Sequence, residues 1–154
     1  MPRIAVIGAG AFGTALAISM ARHGDDVVLW ARDAEQVAQM RASRENARRL
    51  PGCPLPDSIA VTDDLADLEA SALVLLALPA QKTADFLSVH HESLPKVPLV
   101  MCAKGISAQT LELQTEIAAP YAPALALSGP GFAVVAFGNC PAPLSGHSIN
   151  SISL

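Results

Sequence analysis

The stretch Gly8-Ala9-Gly10-Ala11-Phe12-Gly13 leaves this chain few ways to fold. It follows the apolar run Ile4-Ala5-Val6-Ile7 and precedes a run with helical spacing from about Ala11 to His23. A strand, a glycine turn and a helix in immediate succession open a βαβ unit. Each glycine has its own task there. Gly8 permits the tight turn off the strand, Gly10 has no side chain to hold an anion away from the backbone, and Gly13 lets the helix pack closely on the sheet. The first turn of such a helix offers unpaired N–H groups and the positive end of its dipole. The six residues Gly8 to Gly13 are therefore predicted to cradle the pyrophosphate of a dinucleotide. A plain glycine-rich turn is the alternative; the flanking strand and helix speak against it.

The remainder alternates in the same way. Leu16 and Met20 mark the sheet side of the first helix, and Gly24 supplies its left-handed stop. Asp26-Val27-Val28-Leu29-Trp30 reads as a second strand, parallel to the first. Asp33 opens a second helix with Val37 and Met40 inward, and the charged stretch Arg41 to Arg49 is expected to continue as its solvated face. Prolines at 51, 54 and 56 force an extended loop. Ile59-Ala60-Val61 is a short strand, and Thr62 is expected to cap a short acidic helix running to about Glu69. Ala72 to Leu78 is a continuous apolar run, as expected of a central parallel strand buried on both faces, and it stops at Pro79. A helix follows from Gln81 to about Ser93 with Phe86 and Leu87 inward, then a strand over Leu99-Val100-Met101-Cys102. A helix starting at Ser107 is expected to carry Leu111, Leu113 and Ile117, with Pro120 and Pro123 ending it before a last strand, Ala124 to Leu127. The fold class predicted is α/β: a doubly wound, mostly parallel sheet over residues 1–133, with ligands at the carboxyl ends of its strands.

Composition narrows the function. The 154 residues carry a net charge of −4 without a long basic block, which argues against a nucleic-acid surface. Three widely separated cysteines, Cys53, Cys102 and Cys140, show no metal-ligand or disulfide spacing and point to reduced thiols in the cytoplasm. The first apolar stretch lacks a basic leader and is interrupted by glycines, so it is read as a strand and not a signal peptide. No apolar segment approaches the roughly 20 residues that span a bilayer. The histidines lack ligand spacing, and adjacent His90 and His91 diverge on a helix, so they are read as solvated surface and no metal site is expected.

Four segments should converge at the strand ends: the glycine loop, Arg32, the Pro79 turn and Lys104. The position after the second strand discriminates at the ribose 2′ position. Arg32 there can pair with a 2′-phosphate while Asp33 caps the next helix, which favours NADP(H), with NAD(H) also accepted. A solvated surface arginine is the alternative. Lys104, past another strand end, can bind a phosphate or polarise a carbonyl oxygen, or else be a surface lysine. Gly129 and Gly131 can offer backbone N–H groups to an anion, and a plain strand-to-helix turn explains them equally well. Cys102 lies within a strand and is read as core.

In series, Gly8 to Ala17, Leu29 to Asp33, Leu50-Pro51-Gly52, Ala103-Lys104-Gly105-Ile106 and Leu127-Ser128-Gly129-Pro130 resemble the NAD(P)-dependent glycerol-3-phosphate dehydrogenases of bacteria. The resemblance runs from the N-terminus to about Ala133. It implies reversible reduction of dihydroxyacetone phosphate to sn-glycerol 3-phosphate, a phospholipid precursor. It further implies cofactor contacts from Ala11, Phe12, Arg32, Lys104 and Ala133, and substrate contacts from Lys104, Gly129 and Gly131. Gly131 departs from the hydroxyl residue often found in the family's Ser-Gly-Pro motif. The catalytic acid/base lysine of the family belongs to a later helical domain. Residues 134–154, rich in proline, glycine and serine, do not resemble the family's continuation; a truncated or frameshifted product, or equally an isolated domain with a foreign tail, is expected, with little turnover. Self-association through surface that the second domain would cover is also expected. Two other functions fit the same residues: a non-catalytic dinucleotide-binding module, or the N-terminal domain of a dehydrogenase for a keto acid or hydroxyacyl thioester.

Overall fold

A computed structural model describes residues 2–127. Six parallel strands form one sheet in the order β3-β2-β1-β4-β5-β6, where β1 is Arg3–Ile7, β2 Asp26–Trp30, β3 Ile59–Thr62, β4 Ser71–Leu76, β5 Leu99–Met101 and β6 Ala124–Ala126. The chain winds outward from β1 to β3, then returns to the other side of β1 and winds outward again. The winding direction therefore reverses between β1 and β4, at the crevice where doubly wound sheets bind ligands.

Alternation along each strand sends side chains to two separate cores. Val6, Leu29 and Leu75 face helices α1 (Ala11–Arg22) and α2 (Ala34–Ser43), against Leu16, Val37 and Met40. Ala5, Ile7, Val28, Trp30, Val74 and Leu76 face the opposite side, against Leu87 of α3 (Thr83–His90) and Ile117 of α4 (Gln114–Ala118). Strands covered on both faces need apolar residues at every position, which is why β1 and β4 read as continuous apolar runs. Each such Leu or Ile removed from water contributes roughly 1.5–3 kcal/mol.

Most expected elements stand where the sequence puts them, and three do not. α2 ends at Ser43 because Arg44 takes a left-handed conformation (φ 52°) and its guanidinium donates to the Pro56 and Ile59 carbonyls. Residues 45–55 are consequently no solvated helical face: Asn46, Leu50, Cys53 and Leu55 are all buried. The acidic segment after β3 is a 3-10 turn, Leu65–Leu68, capped by Asp64, while Thr62 belongs to β3 and accepts from the Asp64 N–H. Ser107 starts a hydroxyl-capped turn, accepting from the Gln109 and Thr110 N–H groups, and not a helix. Leu111 is left-handed at φ 58°, so α4 begins only at Gln114, and of the three expected apolar contacts only Ile117 is buried. His90 and His91 are half-buried, their rings against Phe86 and Tyr121.

Candidate functional site

The site is built on the end of β1. Gly8 takes φ +109°, a region closed to most side chains, and donates to the Trp30 carbonyl at 3.0 Å. A methyl group on Gly8 would lie 2.5 Å from the Ala77 carbonyl oxygen, so the turn crosses directly over the end of β4. A methyl on Gly13 would lie 1.9 Å from the Gly8 carbonyl oxygen and 3.0 Å from the Ala77 Cβ. Only glycine lets α1 start this close to the strand it follows.

Gly10 differs from both. It is extended (φ −74°, ψ −177°), exposed, and a methyl there would meet nothing within 4 Å. It is also the N-cap of α1, yet no side chain caps the helix and its first turn carries no acidic residue. The first turn thus has neither a side-chain cap on its N–H groups nor an acidic residue of its own to repel an anion.

Two further chain segments approach the loop, and the sequence pattern did not reveal them. Buried Asn46 donates to the Ala9 carbonyl at 2.9 Å and to Thr14 Oγ1 at 2.8 Å. Gln36, on α2, donates to the same Ala9 carbonyl at 3.1 Å and to Asn46 Oδ1 at 3.3 Å. Neither has a motif spacing to the glycines; the only local hint was an uncharged polar residue amid arginines.

The other sequence-predicted residues fall along the same sheet edge. Arg32 is exposed just beyond β2 and has no ion-pair partner among the described residues. Asp33, its neighbour, is half-exposed and uses both carboxylate oxygens. Oδ1 accepts from the Glu35 and Gln36 N–H groups at 3.0 and 3.3 Å, and Oδ2 pairs with Arg48 Nη1 at 3.0 Å. The Gln36 N–H, helped by that of Glu35 and by Arg48, holds this carboxyl below its ordinary pKa. Lys104 is exposed just past β5, whose extension is tied to β4 by the Cys102 N–H on the Leu76 carbonyl at 3.0 Å. Its loop is held by Gln81 of the Pro79 turn, which donates to the Ile106 carbonyl at 3.1 Å and accepts from the Ala108 N–H at 2.8 Å. Arg32, the glycine loop, the Pro79 turn and Lys104 therefore lie on adjacent strand ends. Gly129, Gly131 and Ala133 lie outside the described residues.

Cys102 is buried, and that burial pushes its thiol pKa up to about 12, which suits a core residue and not a nucleophile. Among the described residues, no helix is long and apolar enough to cross a membrane.

The family model described as NAD-dependent glycerol-3-phosphate dehydrogenase N-terminus matches residues 3–149. A glycerol-3-phosphate dehydrogenase (NAD(P)+) of Ruegeria sp. is 48% identical over 135 residues, which cover 84% of this chain and 41% of that protein. One from Bradyrhizobium sp. (strain BTAi1) is 50% identical, with the same shares covered. Among solved structures, the glycerol-3-phosphate dehydrogenase of Coxiella burnetii superposes with a TM-score of 0.78 at 31% identity, over 86% of this chain and 42% of that one. The chain thus spans about two-fifths of the length of the relatives it matches.

Proposed function

The chain belongs to the family of NAD-dependent glycerol-3-phosphate dehydrogenase N-termini, and on that premise we propose that it is the cofactor-holding part of such an enzyme. The observation that carries the reading is the uncapped start of α1 at Gly10, open to space, beside the reversal of winding between β1 and β4. Gly8 and Gly13 set the close approach of helix and strand. The N–H groups of Gly10, Ala11 and Phe12 would receive the pyrophosphate. Ala9 completes the turn.

Arg32 is the proposed partner of a 2′-phosphate. Asp33 Oδ1 already accepts from the α2 cap and Oδ2 already pairs with Arg48, whereas Arg32 has no ion-pair partner among the described residues. That occupancy favours NADP(H), with NAD(H) as the second cofactor. The nicotinamide, when bound, would supply the hydride that, together with a proton for the nascent alkoxide, converts dihydroxyacetone phosphate to sn-glycerol 3-phosphate. Lys104, with the only side-chain cation of its loop, would hold charge at the substrate end of the crevice. Gly129, Gly131 and Ala133 are assigned to substrate and cofactor by family resemblance. The complete reaction is proposed for the protein of which these residues form the cofactor-holding part.

Calorimetric titration with NADPH and NADH tests the reading. The wild-type chain is expected to bind both, and Arg32→Ala to lose more affinity for NADPH than for NADH. Equal losses would remove the 2′-phosphate role; no binding of either cofactor would remove the reading as a whole.

A further inference from the structure

We infer that Asn46, assisted by Gln36, is a positioning residue that aims the glycine loop at its anion, an inference that rests on the dinucleotide reading above. The peptide joining Ala9 and Gly10 is planar and trans, so its C=O and N–H point in opposite directions. Two side-chain amides hold that C=O: Asn46 Nδ2 at 2.9 Å and Gln36 Nε2 at 3.1 Å. Both come from the α2 side of the loop. Drawing the carbonyl toward α2 turns the N–H of Gly10, an exposed residue, away from α2.

The amide pair is itself locked. Asn46 is 1% exposed, and its second donor bond goes to Thr14 Oγ1 in α1. Its oxygen accepts from Gln36. One side chain thus joins the loop, the first helix and the second helix. The Ala9 carbonyl is also kept from turning outward, where it would face a pyrophosphate with like charge. Asn suits this position because it needs donors for two oxygens and an acceptor for Gln36. Asp would lack the donors and Leu would lack both.

The test compares two ligands on the full 154-residue chain. NADPH carries the pyrophosphate; adenosine 2′-monophosphate does not, and would engage only the Arg32 end. Asn46→Leu is expected to weaken NADPH by about tenfold or more, the effect of losing hydrogen bonds that orient an anion site, while adenosine 2′-monophosphate is held as in wild type. Gln36→Leu, which leaves Asn46 in place, should show the same selectivity with a smaller loss of about threefold. Equal losses for both ligands, or no loss for NADPH, would overturn the positioning role. If Asn46→Leu fails to fold, as judged by circular dichroism, Gln36→Leu decides by the same comparison. Should wild type not bind NADPH, the parent reading fails. Amide chemical shifts of Gly10 and Ala11 then decide the positioning claim: shifted resonances in Gln36→Leu support it, and unchanged ones overturn it.

Discussion

Gly10 and Gly13 stand three residues apart in one motif, and substituting each with alanine should fail in opposite ways. At Gly13 the new methyl would sit 1.9 Å from the Gly8 carbonyl oxygen, with the Ala77 Cβ at 3.0 Å on the same side. Relief requires α1 to move off β1 and β4 by about 1 Å, in an interior packed tightly enough to resist that shift. Overpacking of this kind costs roughly 1–3 kcal/mol or more, against about 1 kcal/mol regained from alanine's better helix propensity. The obstacle is backbone, which cannot rotate aside, so the upper part of the range applies. A net loss of about 2 kcal/mol lowers the melting temperature by roughly 4–8 °C in a chain of this size. At Gly10 the methyl meets nothing, and φ −74° is open to any residue. Gly10→Ala should therefore melt within about 1 kcal/mol of wild type, the difference between Gly and Ala at an N-cap. The same methyl occupies the space proposed for the pyrophosphate. Losing hydrogen bonds to that anion should weaken NADPH binding by roughly 10- to 100-fold. Thermal melts by circular dichroism and NADPH titration by calorimetry read the two effects separately. A Gly13→Ala chain as stable as wild type, or a Gly10→Ala chain that binds NADPH normally, would refute the division of labour.

Asp33 supports the start of α2 as a carboxylate, and its lowered pKa sets the sign of the pH effect. A depressed carboxyl stabilises the fold above its unfolded pKa of about 4 and loses that contribution as pH falls through the folded value. Asp33→Ala should thus melt below wild type at pH 7, and the two curves should converge in strong acid; a gap independent of pH would contradict the cap and ion-pair assignment. Cys102, with its thiol raised to about 12 by burial, should resist iodoacetamide at pH 8 in the folded chain and react once it is unfolded. Mass-spectrometric mapping that finds native Cys102 alkylated would show the strand end to be open. Ile106, Leu111 and Leu113 are 47%, 73% and 52% exposed beside the Lys104 loop. Concentration-dependent sedimentation is expected from them, reduced by Leu111→Asp; a monomer at all concentrations would dismiss it.

The amino-acid sequence determined the glycine turn, the parallel apolar strands and the positions of Arg32 and Lys104. These rest on short-range rules. Glycine is needed where a Cβ has no room, apolar runs are needed where a strand is covered twice, and residues just past a strand end reach the crevice. The chain's failures to follow local pattern share one cause. Arg41 to Arg49 has a helix-compatible composition, but Arg44 turns left-handed when its guanidinium caps the Pro56 and Ile59 carbonyls, contacts 12 and 15 residues away. Leu111 and Leu113 have helical spacing with Ile117, but Gln81, 25 and 27 residues away, holds the Ile106 carbonyl and the Ala108 N–H, and left-handed Leu111 ends the turn that Ser107 opens. The Asn46 clamp on Ala9 spans 37 residues, and no local window contains both partners. Tertiary structure alone decided that the Ala9 carbonyl is held inward and that Arg48 joins Asp33 at the helix cap. Hydrogen-bond donors brought together only by folding set the direction of each peptide, and direction is what turns a glycine-rich turn into a place for an anion.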